Sequence, residues 1–99
     1  MLDNASIRPT APWRVSAVEP LPRFRLRITF VDGTAGEVEM GKLLQRPGIA
    51  HTMFAPLRDE TTFASAGVVL GAVTWPNGAD LAPDAMYDAI RQRGCWVVE

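Results

Sequence analysis

Phe24, Leu26, Ile28 and Phe30 alternate with Arg23, Arg25, Arg27 and Thr29. This two-residue period specifies a strand with one buried and one wet face. Further on, Val38 and Met40 alternate with Glu37 and Glu39 in the same way, and Val31-Asp32-Gly33 between the two runs is a hairpin signal. Because a slip of one residue inverts every side chain, parity decides the loop. A two-residue Asp32-Gly33 loop sets Ile28 against Glu37 and joins opposite faces. A three-residue loop, with Gly33 in the left-handed conformation, pairs Phe30 with Thr34. Arg27 then faces Glu37 and Arg25 faces Glu39, so charge and hydrophobic pattern agree on one register.

A second constraint lies in Thr74-Trp75-Pro76-Asn77-Gly78-Ala79-Asp80-Leu81-Ala82-Pro83-Asp84. Ala72 to Trp75 is rich in β-branched and aromatic residues and reads as a short strand. Pro76 cannot donate to a ladder, so a central strand must end there or be an edge. Asn77-Gly78 is a turn pair, since Asn tolerates positive φ and Gly adopts it freely. Pro83 suits the first position of a helix, and Asp84 places negative charge against the positive end of its dipole. The helix is expected from Pro83 to about Arg93, with Gly94 as its stop and Arg91 and Arg93 complementing the dipole. Met86, Ala89 and Ile90 give it one narrow apolar face.

Elsewhere the sequence predicts an initial strand, Trp13 to Val18, stopping before Pro20 and Pro22. Gly41 to Gln45 fits one helical turn closed by Arg46-Pro47-Gly48. The segment 49–63 is ambiguous: Met53, Phe54 and Leu57 have helical spacing, but Pro56 interrupts them. Thr61 to Leu70 and Ala72 to Trp75 read as two strands separated near Gly71. Residues 1–12 are polar and Pro-containing and read as a flexible leader. The expected fold is α+β: a small, twisted, mostly antiparallel sheet with one C-terminal helix packed on it and short helical turns in the middle. It forms a single domain over residues 13–99, with Phe24, Leu26, Ile28, Phe30, Val38, Met86 and Ile90 in its core.

The run Trp75, Pro76, Asn77, Gly78, Asp80, Leu81, Pro83, Asp84 and Tyr87, with the upstream Phe30-Val31-Asp32-Gly33 and Leu43-Leu44, resembles the domain-of-unknown-function family 2442. The resemblance spans roughly Arg14 to Arg93. It implies a small bacterial α+β domain that occurs alone or beside a helix-turn-helix, often in gene pairs suggestive of toxin–antitoxin systems. It attaches no catalytic residue to the motif. One departure concerns the helix start, commonly entered through Ser or Asp, where Ala82 has no side-chain acceptor. Either Asp80 reaches the free N–H groups, or this start is weaker by about 1 kcal/mol.

Ninety-nine residues fit one core, and a chain of this size buries only about 60–65% of its unfolded surface, so association would help it. Ten basic and eleven acidic residues leave a formal charge of −1, which gives bulk electrostatics no reason to attract nucleic acid or anionic membrane. No apolar run approaches the roughly 20 residues that cross a bilayer. The single Cys95 excludes an internal disulfide and fits a reducing cytoplasm.

Candidate reactive groups each have a plainer reading. Arg23, Arg25 and Arg27 present donors suited to phosphate, yet Glu37 and Glu39 share their face. His51 is the only histidine, which removes any His-rich metal site. Asp80, Asp84 and Asp88 look like a carboxylate cluster but are explained by dipole compensation and solvation. Cys95 follows a helix C-terminus, where the dipole disfavours a thiolate. No phosphate loop, zinc spacing or nucleophile elbow is present. The expectation is therefore no catalytic, cofactor-binding or metal-ligating residue.

The tail Cys95-Trp96-Val97-Val98-Glu99 carries more apolar surface than a small monomer needs. Trp96, Val97 and Val98 either close the core as an edge strand or form a contact patch. The function expected is a non-enzymatic interaction module that binds itself or a small, neighbour-encoded protein, antitoxin-like in its logic. A DNA-binding or transcription-associated domain is the alternative, disfavoured because no recognition-helix pattern remains.

Overall fold

The computed structural model describes residues 11–99, so the flexible leader expected at residues 1–12 falls almost wholly outside the described residues. In chain order the elements are β1 (Val15–Leu21), β2 (Arg25–Phe30), β3 (Ala35–Glu39), α1 (Gly41–Gln45), 3-10 turns at Pro47–His51 and Ala55–Arg58, α2 (Glu60–Phe63), β4 (Gly67–Val69), β5 (Ala72–Thr74), α3 (Pro83–Arg93) and β6 (Cys95–Val97). Four strands form one sheet in the order β1-β2-β3-β6, and β4 and β5 form a separate hairpin. The chain is α+β, with a C-terminal helix and short helical turns in its middle.

Parity governs the centre of the main sheet as expected. Arg25 pairs with Glu39, Leu26 with Val38 and Arg27 with Glu37. Leu26, Ile28, Phe30, Val38 and Met40 are buried, with Met86 and Ile90 of α3 in the same core. The loop is the three-residue one: Phe30 N–H donates to Thr34 O at 2.8 Å, and Gly33 has φ 91°. Asp32 Oδ1 accepts from Thr34 N–H at 2.9 Å and fixes the turn. The ion pair runs diagonally, from Arg25 to Glu37 at 2.9 Å.

The structure corrects three boundaries. β2 begins at Arg25, because Arg23 and Phe24 are left-handed at φ 67° and 58° in the connection from β1. Phe24 O still accepts from Met40 N–H at 2.9 Å, and the half-buried ring meets Phe63 edge-on at 5.3 Å. β1 does not stop before Pro20 but runs through it to Leu21. A proline is tolerated because β1 is an edge strand. Thr61 to Leu70 is not one strand. Asp59 caps α2 by accepting from Thr62 N–H at 2.9 Å, which draws Thr61 to Phe63 into a helix and leaves β4 three residues.

Trp75 holds these parts together. Its side chain is 2% exposed, and Nε1–H donates to Phe63 O at 2.9 Å, so the indole has its polar partner inside the core. α3 ends at Gly94, φ 80°, whose N–H donates to Ile90 O at 2.7 Å. Ala82 makes no side-chain cap; Asp80 is exposed and pairs through its backbone with Thr74, so the helix start takes the weaker of the two expected forms. Below this helix end lies Gly36 in β3. A Cβ there would sit 2.7 Å from both Gly94 O and Ile90 Cγ2, so only glycine lets α3 turn down into β6 so close to the sheet.

Candidate functional site

The turn motif folds as a clamp rather than a reactive centre. Gly78, φ 93°, donates to Trp75 O at 2.9 Å, and Trp75 N–H donates to Ala79 O at the same distance. Asn77 accepts from Ala79 N–H at 3.1 Å and donates through Nδ2 to Met53 O at 2.8 Å, tying the turn to the middle of the chain. Leu81 is buried, and its N–H donates to Val73 O at 3.1 Å. Pro76 is exposed, Pro83 opens α3, and Asp84 accepts from Ala85 N–H at 2.9 Å in the first turn.

Tyr87 makes a contact that no local pattern announces. Its hydroxyl donates to Asp32 Oδ2 at 2.6 Å, its ring meets Phe30 edge-on at 5.0 Å, and Arg91 lies 5.8 Å above the ring. The Tyr87 hydroxyl, then Thr34 N–H, hold the Asp32 carboxyl below its ordinary value of 3.8. The same hydrogen bond raises the Tyr87 phenol above 10.0. This pair pins the β2–β3 turn to α3.

The other candidates do not converge. His51 and Asp80 are exposed in separate segments, Asp84 and Asp88 are exposed on α3, and Arg25 is already engaged by Glu37. Among the described residues no group of three His, Cys, Asp or Glu side chains is placed to hold a metal ion. Shallow clefts of about 300 and 420 Å³ flank Phe24, the first lined by Pro20, Pro22 and Phe63 and the second by Leu44 and Arg58. Arg58 is occupied, donating to Leu44 O at 2.7 Å and Arg46 O at 2.9 Å.

The features that distinguish this surface are the two outer strands of the sheet. On β2, Phe30 N–H and Phe24 O serve β3, so even-numbered residues face β3 and odd-numbered residues face β1. Their partners Ala17, Glu19 and Leu21 are thereby engaged, while the backbones of Val18 and Pro20 look outward. Pro20 has no N–H to offer. At the other end of β1 the register shifts between Val15 and Ala17, and Val15 N–H donates to Gly71 O at 2.9 Å. The β4–β5 hairpin thus covers the start of this edge, and a bulge and a proline interrupt the rest.

β6 runs parallel to β3, pairing Cys95 with Glu37, Trp96 with Val38 and Val97 with Glu39. The apolar tail therefore closes the core as an edge strand, the first of the two forms expected of it. Trp96 and Val98 are half-buried on the core side, and Val97 is half-buried too. Val98 N–H donates to Glu39 O at 2.9 Å. A parallel ladder engages alternate residues, so Cys95 and Val97 direct their own N–H and C=O groups away from β3. No described strand pairs with that side. Nothing from Cys95 to Val98 is charged or proline, and the register has no shift.

A family model described as "Protein of unknown function (DUF2442)" matches residues 15–92. Among curated proteins none matches this chain. A crystal structure described as "Putative DNA Binding Protein NE0471", from Nitrosomonas europaea, is similar at 33% identity with a TM-score of 0.51. The similarity covers 64% of this chain and 39% of that one, so the matched region is a minor part of the longer molecule.

Proposed function

This chain belongs to the DUF2442 family, and we propose that it is a non-enzymatic protein-interaction module whose binding element is the open edge of β6. The supporting observation is the placement of Trp96 and Val97 on a strand whose outer backbone groups have no described partner, with Val98 directly after it. Such an edge is a template for strand addition, in which main-chain hydrogen bonds supply affinity and flanking side chains supply selectivity. Its partners are a second copy of the chain or a small protein encoded nearby, in a cytoplasmic, antitoxin-like role. Trp75, Asn77, Gly78 and Tyr87 serve this module by fixing the scaffold.

Val97→Pro tests the reading. It removes an outward N–H and blocks the edge, yet leaves the inward bonds of Trp96 and Val98 to β3 in place. Affinity capture with the wild-type chain and this variant, read by quantitative mass spectrometry, should show specific partners only with the wild type. Equal recovery by both would overturn the assignment of the edge.

A second reading, association with DNA, is favoured by the description of the Nitrosomonas europaea protein. Against it stand Asp84 and Asp88 on α3, the longest described helix, and the Arg25–Glu37 ion pair within the arginine stripe. Duplex binding that weakens steeply with salt and disappears in Arg25→Glu/Arg27→Glu would favour the DNA reading instead.

A further inference from the structure

We propose that the occupant of the β6 edge is a second copy of this chain, joined antiparallel about a two-fold axis into one continuous eight-stranded sheet. The proposal rests on the interaction reading above and names the partner. β6 offers two residues with outward-facing backbones, Cys95 and Val97. These four groups can be satisfied by the same four groups of a second copy, because a two-fold axis makes the edge its own complement. With the axis at Trp96, Cys95 of each chain pairs with Val97 of the other. Both backbone groups of all four residues are then satisfied, making four hydrogen bonds.

The same register is complementary in its side chains. Trp96 faces its symmetry mate at the closely spaced, non-hydrogen-bonded position, on the face where Trp96 and Val98 already pack against the core. Shifting the axis to Val97 sets Trp96 against Val98 instead and breaks the Trp96–Trp96 pair. The two α3 helices lie on one face of the joined sheet. Because α3 packs on both β3 and β6, their axes stand about two strand spacings apart, ~10 Å, a distance at which helices pack.

Closure distinguishes this pairing from open-ended growth. Joining β6 to β6 consumes both open edges and leaves β1 at each end of the new sheet. β1 is the strand with Pro20, the register shift and the Val15–Gly71 cover, so assembly stops at two copies.

Sedimentation equilibrium from micromolar to millimolar protein tests the proposal. The wild type should reach twice the 10.8 kDa chain mass, and Val97→Pro should remain at the single-chain mass with an unchanged circular dichroism spectrum. A disulfide pair then tests the register. Cys95→Ser/Trp96→Cys should form a covalent dimer on mild oxidation, whereas Cys95→Ser/Val98→Cys should not. A wild-type monomer throughout the range, or a dimer that survives Val97→Pro, overturns self-pairing, and the reverse disulfide pattern overturns the Trp96 register. If the wild type is monomeric but Val97→Pro still loses a captured foreign protein, self-pairing falls and the interaction reading stands. If Val97→Pro changes neither mass nor capture, both fall.

Discussion

β1 and β6 border the same sheet, yet one is finished and the other is left unfinished. On β1 the outward donor of Val15 is taken by Gly71, that of Pro20 does not exist, and the register shift twists the strand at its start. β6 presents Cys95 and Val97 with backbone groups that no described strand engages, beside half-buried Trp96 and Val98. The sheet is the same and the solvent is the same. The difference lies in what the sequence places at each border: a proline, a register shift and a covering hairpin guard β1, and none of these stands on β6.

The most damaging way to break the comparison is to unseat the hairpin that covers β1. Trp75→Ala removes a buried ring and its Nε1–H bond to Phe63 O, and should cost about 3–5 kcal/mol in urea unfolding. A loss below about 1 kcal/mol, the ordinary size for a single substitution, would mean that Trp75 does not anchor that side. The β6 side is tested by Gly36→Ala. The added Cβ meets Gly94 O and Ile90 Cγ2 at 2.7 Å, and such overpacking costs about 1–3 kcal/mol. Because it displaces the α3–β6 junction, it should also weaken binding at the β6 edge in the same sample.

Pro20→Val sharpens the contrast with a smaller effect. Pro20 pairs with Leu26 with its backbone turned outward, so stability should change by within about 0.5 kcal/mol. The variant restores an N–H to the guarded edge, and light scattering should detect species beyond those of the wild type. An unchanged size distribution would show that the hairpin and the register shift guard β1 without the proline.

The mildest test is pH. Asp32 is held below 3.8 in the folded chain, so its contribution is complete above that value and is lost as pH falls through the lowered folded one. Tyr87 is raised above 10.0, so its contribution is complete below that value and is lost as pH rises past it. The stability difference between wild type and Tyr87→Phe should therefore be level between these limits and shrink beyond each. A difference that persists into acid would detach Asp32 from the effect.

Much of this frame was legible in the chain. The alternation through Leu26, Ile28 and Phe30 gave the hairpin register, because only one parity buries those residues and Val38 together. Pro83, Met86, Ile90 and Gly94 gave α3, because helix starts, faces and stops are local. Pro20 carries no local sign of its role, because a proline ends a central strand but guards an edge, and which strand is an edge depends on the whole sheet. Thr61 to Phe63 had no decisive period, and the Asp59 cap decided it. The Tyr87–Asp32 bond joins residues 55 apart and leaves no local trace. The apolar tail was visible at once, but its parallel pairing with β3 was not, since it requires α3 to cross over Gly36.

Amide hydrogen exchange, resolved by residue over a dilution series, tests the asymmetry of the two borders most directly. Val15, Trp96 and Val98 should be protected at every concentration, because their N–H groups bond within the chain. Cys95 and Val97 should exchange rapidly when dilute and gain protection as concentration rises. If Val97 is as protected as Val98 at every dilution, the β6 edge is already covered within one chain, and the contrast between the two borders is wrong.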